Sequence, residues 1–175
     1  MMPLGGFLRI LAALVAVFMI SCANITNDGQ LRARFSRQKT KFSELLAMAR
    51  EDETVRSVER GAILSQSGLV VIHDGDNWPA AGRAGLSKAR WDHYQQLFAE
   101  LRLQGIAKED VGNRPGKIMF IVDKSSIWNG ASTKGIVFSE ATLPNCRKSL
   151  DDKPTPHSFA CAPLAAPWYL YLFID

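Results

Sequence analysis

His73-Asp74-Gly75-Asp76 sets one imidazole and two carboxylates side by side. Such groups could hold a divalent cation or move a proton between substrate and water, as a small hydrolase requires. The same letters also describe a turn. Asp-Gly and Asp-Asn are turn formers, and His73 ends an apolar run. A calcium loop would need more oxygen ligands at alternating positions. The stretch therefore reads first as a turn at a strand end. Its second reading is a catalytic set of His73, Asp74 and Asp76, with no metal or cofactor assigned.

Other stretches carry reactive residue types with weaker spacing. Asp92-His93 falls within a helical pattern, where neighbours point about 100° apart and do not pair. Ser132-Thr133-Lys134 has the residue types of a serine–lysine nucleophile but no readable oxyanion-hole signature. A Ser–His–Asp triad is recognised by geometry, not composition. Gly82-Arg83-Ala84-Gly85 and Gly112-Asn113-Arg114-Pro115-Gly116 lack phosphate-loop and dinucleotide spacing. Among the four tryptophans, Trp91 and Trp168 sit in expected core elements. Trp78 and Trp128 sit in expected loops, where aromatic rings serve as partner anchors or fold back as lids.

The elements that must position these residues are set by periodicity. Ala23 to Gly29 is a polar tether, and Asn27 or Asp28 can cap a helix at its end. Leu31, Phe35, Phe42, Leu45, Leu46 and Ala49 predict that amphipathic helix from about Gly29 to Arg50. Its polar side holds Arg32, Arg34, Arg37, Lys39 and Lys41. These read as a solvated face or as attraction to anionic headgroups, worth about 1 kcal/mol per charge near a surface. Val55 to His73 reads as a hairpin with its turn at Ser65 to Gly68. Ser87 caps a second helix, Leu86 can staple onto Trp91, and Gly105 is read as the glycine that ends it. Its apolar face is Trp91, Tyr94, Leu97, Phe98 and Leu101. Lys117 to Val122, Lys134 to Phe138 and Trp168 to Ile174 read as strands, with Asp123 to Thr133 a connection. The expected class is α+β. It comprises an antiparallel sheet of about four to five strands with two amphipathic helices packed on one face.

Before all of this stands a leader. Arg9 is the only charged side chain ahead of Asp28, and the apolar run Ile10 to Ile20 ends in Ser21-Cys22. A positive start, a short apolar core and a small residue mark an export signal; the run is too short for a comfortable span of roughly 20 residues. Met19-Ile20-Ser21-Cys22 resembles the lipobox of bacterial lipoproteins, with Met19 where that family usually has Leu. The resemblance implies cleavage after residue 21 and lipidation of Cys22. The domain would then be tethered to the membrane and face the periplasm. Ala23 after the cysteine implies the outer membrane more than the inner. An uncleaved N-terminal anchor and simple secretion are the other readings. The expected organisation is a signal peptide over 1–21, a linker over 22–29 and one domain over 30–175.

In such an oxidising compartment the remaining pair, Cys146 and Cys161, is expected to form a disulfide. Closing a loop of about 15 residues is worth roughly 3 kcal/mol. With only His157 between them, the cysteines lack the ligands for zinc.

Removing Arg9 from the 21 basic side chains leaves 20 against 17 acidic, a net charge of +3. That is too mild to imply nucleic acid. Three blocks, Gly85 to Tyr94 with Leu97-Phe98, Ser132 to Ser139, and Trp168-Tyr169-Leu170-Tyr171, resemble in this order a group of small, uncharacterised bacterial lipoproteins and secreted proteins. That group carries over no activity and no site residues. Two functions are expected. The first is an envelope-anchored binding or inhibitor-like module without catalysis, using Trp78 or Trp128 on a partner in the envelope. The alternative is a small periplasmic hydrolase using His73, Asp74 and Asp76.

Overall fold

The computed structural model describes residues 26–73, 77–79, 82–111, 114–127, 130–151 and 158–175. Helix α1 (Asp28–Glu51) is capped by Asn27, whose side-chain oxygen accepts from the Gln30 amide at 2.9 Å. Leu31, Phe35, Phe42, Leu45, Leu46, Met48 and Ala49 are its buried apolar side chains. The helix kinks at Gln38 (φ −122°, ψ 20°). There the Gln38 amide group donates to the Glu100 carbonyl on the second helix.

Three short strands come next: β1 (Val55–Glu59), β2 (Ala62–Ser65) and β3 (Gly68–Val71). The expected hairpin is thus a three-strand meander. Helix α2 (Lys88–Leu101) starts at Ser87, whose hydroxyl accepts from the Arg90 amide at 3.1 Å. It ends at Arg102, in the left-handed conformation with φ 52°. Gly105, expected to end this helix, instead begins β4 (Gly105–Val111). A Cβ there would stand 2.6 Å from the Val58 carbonyl oxygen, so a close approach between strands, not a helix cap, needs this glycine.

β5 (Arg114–Ile127), β6 (Gly130–Phe138), β7 (Ser158–Ala165) and β8 (Trp168–Ile174) complete one eight-stranded sheet of order β3-β2-β1-β4-β5-β6-β8-β7. All pairings among the described residues are antiparallel. The architecture is α+β, with more strands than the four to five expected. Asp123 to Ile127 and Gly130 to Thr133, expected as a connection, extend β5 and β6 as paired strands. β7 has no counterpart among the expected strands. Its Pro163 is tolerated because β7 is the outermost strand and one side of it makes no ladder.

Alternation along the strands gives the sheet two different faces. Val58, Ile106, Ile118, Phe120, Ile136, Trp168 and Leu170 join the stripes of both helices in the main core. The opposite face carries a smaller cluster of Val137, Leu143, Cys161, Tyr169 and Tyr171, with Met119 and Cys146 packed on it. Between β5 and β6 the register shifts near Val122. There a Cβ on Gly135 would lie 2.0 Å from the Phe120 carbonyl oxygen and 3.0 Å from the Tyr171 ring. The bare glycine lets Tyr171 lie down on that face.

Candidate functional site

Of the connection from β6 to β7, residues 139–151 are described, and they run from one face of the sheet to the other beside the outer strand β7. Leu143 packs on the helix-free face, while Leu150 reaches the main core. Midway, Cys146 and Cys161 form a disulfide with 4.5 Å between Cα atoms, and the Arg147 amide donates to the Cys161 carbonyl at 2.7 Å. This covers an edge that would otherwise invite strand pairing. At its far end the segment docks on the start of α1. Leu150 N–H (2.6 Å) and Ser149 O–H (3.0 Å) donate to Asp28, and the Asp28 amide donates to the Asp151 carboxylate at 3.1 Å. Replacing both Cys146 and Cys161 by Ser is expected to cost about 3 kcal/mol, read as a lower urea midpoint. An unchanged midpoint would mean that the docking at Asp28 alone restrains the segment.

On the helix-free face lies a pocket of about 560 Å³. Its apolar lining comes from Ala107, Met119, Ile121, Phe159, Tyr171 and Phe173, contributed by β4, β5, β7 and β8. Two ion pairs stand among its polar residues: Lys117–Glu109 at 3.1 Å and Lys124–Glu59 at 2.6 Å. The Lys117 ammonium lies 5.0 Å from the Phe159 ring centre, and Phe159 stacks on Tyr171 at 6.2 Å, 9° from parallel. Tyr171 is 1% exposed, and its hydroxyl has no hydrogen-bond partner among the described residues. Burial, and after it the Glu59 charge, push its pKa up, so the hydroxyl stays a donor.

The residues singled out from sequence are dispersed. His73 is exposed, and its expected partners Asp74 and Asp76 lie outside the described residues. So do Cys22, Trp128 and His157. Trp78 is partly buried and packs on Trp91, with ring centres 6.0 Å apart. Asp92 pairs with Lys88 at 2.5 Å, while His93 turns to Glu44 at 2.9 Å on α1. The Ser132 hydroxyl meets Ser125 at 2.6 Å. Lys134 is held by two carboxylates, Asp28 and Asp151, each at 2.9 Å. An ammonium so held cannot act as the base of a serine–lysine pair. The carbonyl of Arg83 accepts from the Ser65 and Ser67 hydroxyls at 3.2 and 2.8 Å, which docks that glycine-bearing loop on the β2–β3 turn. Of the five basic residues between positions 32 and 41 on α1, Arg32 donates to the Pro163 carbonyl, Arg34 to that of Arg102, and Lys41 pairs with Glu100. Among the described residues no group of three His, Cys, Asp or Glu could hold a metal ion. No helix among them is long and apolar enough to cross a membrane.

The pocket residues are missed by sequence reasoning because they alternate along four strands and form no motif. One signal is present: Trp168 to Phe173 is apolar at both parities, the pattern of a strand buried on both faces. No protein-family model matches this chain, and neither does any curated protein or solved structure.

Proposed function

We propose that this chain is an envelope-anchored lipoprotein whose domain is a non-catalytic binding module, and that its binding surface is the helix-free face of the sheet. The observation that supports this most is the apolar character of that face. Phe159 and Phe173 at the pocket are 40% and 43% exposed. Toward the other edge Leu64 stands opposite Leu69 across β2 and β3, exposed by 38% and 65%. Apolar surface gathered on one face in this way marks interaction sites. The leader supplies the anchor. Lipid on Cys22 would hold α1, which begins at Asp28, close to the bilayer.

Two measurements test the reading. Intact mass of the chain from its native membrane fraction should show a start at Cys22 and added acyl groups; a full-length unacylated mass overturns the anchor. A photo-crosslinking residue at position 173 should give a discrete adduct in intact cells, while one at exposed Arg37 should not. Adducts from position 37 alone, or from neither, overturn the binding face.

A further inference from the structure

We infer that the end of the domain next to its tether lies on an anionic phospholipid surface, held there by Arg34, Arg37 and Arg102. The inference rests on the proposed anchoring at Cys22 and adds to it the side that faces the bilayer.

The fold redistributes the basic run of α1. Arg32 turns to the Pro163 carbonyl on β7, and Lys41 is paired with Glu100. Arg34 and Arg37 remain, three apart on the helix, where like charges repel. α2 then brings a third. The two helices run antiparallel: Arg90 near the start of α2 pairs with Asp52 just past the end of α1, while Gln38 reaches the Glu100 carbonyl. The end of α2 therefore comes level with the first half of α1, and Arg34 donates to the Arg102 carbonyl at 3.4 Å. Burial and then the Arg102 charge lower the Arg34 pKa; Arg37 adds to this, and Asp123 opposes it. Three guanidinium groups thus crowd together with one carboxylate acting against them. On the flank Arg60 donates to the Phe98 and Leu103 carbonyls at 3.5 and 3.0 Å.

Holding like charges together costs stability, and Arg102 carries a second cost. Its φ of 52° is the left-handed conformation that favours glycine. A cation suits the end of a helix, but that accounts for one arginine and not for three. Arg37 and Arg102 are exposed, which suits a surface of charge and not a buried phosphate. At the other end of the helices the charges are paired, Arg90 with Glu51 and Asp52 and Lys88 with Asp92.

Asp123 also fixes where the tether joins. It accepts from the Thr26 amide at 2.7 Å, so the chain enters the domain beside this patch. Four residue steps separate Thr26 from Cys22, a reach of at most about 14 Å. Acyl chains on Cys22 would bring the patch to the headgroups, where each charge is worth about fivefold in affinity.

The test uses the mature protein purified from its native membrane fraction. It is reconstituted in vesicles of phosphatidylcholine, alone or with about one-third phosphatidylglycerol. Phenylglyoxal modifies accessible arginines, and mass spectrometry reads each site. Arg37 and Arg102 should react at least about threefold more slowly on the anionic vesicles. Exposed Arg83, docked on the β2–β3 turn beside Thr54 at the far end of α1, should not change. Molar salt, with a screening length of about 3 Å, should abolish the difference. Arg102→Gly should weaken docking about fivefold, returning Arg37 toward its rate on neutral vesicles. That variant should melt within about 4 °C of the parent, since glycine relieves the left-handed backbone while the helix end loses a cation. Arg37→Gln should expose Arg102 in the same way. Equal reactivity on both vesicles, protection that survives molar salt, or the same protection from glycerol phosphate without vesicles overturns the inference. So does full protection of Arg37 in Arg102→Gly. A lipid attached at position 37 in intact cells is a mass increment of one lipid, not the partner adduct sought there. If acylated protein shows no footprint, only this inference falls. A footprint on an unacylated chain upholds the patch and overturns the anchor; with neither, both fall.

Discussion

Lys134→Met is expected to destabilise the domain by about 3–5 kcal/mol, the usual cost of removing one partner from a buried ion pair. The Lys134 side chain is 4% exposed and the Asp28 side chain 6%. Its ammonium stands 2.9 Å from both Asp28 and Asp151. Methionine fills the same space and leaves Asp28 buried with only hydrogen bonds to hold its charge. The α1 N-terminus favours that charge, but by about 1 kcal/mol. Urea unfolding measures the loss. Adding Asp28→Asn to Lys134→Met should recover part of it, because the uncompensated charge is gone. A double variant no better than Lys134→Met would show that hydrogen bonding to Leu150 and Ser149, not charge, carries the site.

The same pair sets a pH dependence whose sign can be checked. Burial alone would raise the Asp28 pKa. The Leu150 amide, Lys134 and the Ser149 hydroxyl outweigh burial and hold the carboxyl below its ordinary 3.8. A group with a lower pKa in the folded state takes up protons first in the unfolded state, so stability rises with pH through that window. Its contribution is complete above the ordinary carboxylate value and is lost as pH falls through the folded one. In Lys134→Met, burial faces fewer opposing groups, and this acid-side slope should flatten or reverse. An unaltered slope in the variant would assign the acid dependence to other carboxylates.

How far the sequence reaches is clear from single residues. Ser87 with Trp91, Tyr94, Leu97, Phe98 and Leu101 makes α2 legible, because cap and stripe are both local. The kink at Gln38 is not legible, since no proline or glycine marks it and the contact made there is with distant Glu100. The Ile118 to Val122 run reads as a strand because it is continuously apolar. Asp123 to Ile127 reads as a connection because Asp, Lys and Ser carry no strand signal; their pairing with β6 makes the strand. The disulfide is legible from cysteine parity and from the oxidising compartment that the leader leads one to expect. Lys134 leaves one trace, sharing parity with core-facing Ile136 and Phe138. Nothing local announces that two aspartates, 106 residues upstream and 17 downstream of it in the chain, will meet it. The pocket is further removed still, for its lining is shared among four strands that only the folded sheet brings together.

Trp168→Ala should cost about 3–5 kcal/mol, as truncation of a buried aromatic does when its surroundings relax only in part. At roughly 2–4 °C per kcal/mol for a domain of this size, melting should fall by about 6–20 °C. The ring is 5% exposed. Its centre lies 5.1 Å from Phe35, 5.4 Å from Phe120, 5.2 Å from Phe138 and 6.4 Å from Phe42. Phe35 and Phe42 lie on opposite sides of the kink in α1, so one indole ties both halves of that helix to β5 and β6. Alanine opens a cavity where these elements meet, whereas Trp168→Phe should lose about a third as much. The neighbouring residue makes the control. Tyr169 belongs to the cluster on the opposite face, and the sheet itself separates the two. Trp168→Ala should therefore lower the urea midpoint yet leave photo-crosslinking from position 173 intact in the fraction that remains folded. Loss of both together would mean that the helix-bearing core shapes the binding face through the sheet, and the two faces would then have to be treated as one cooperative unit.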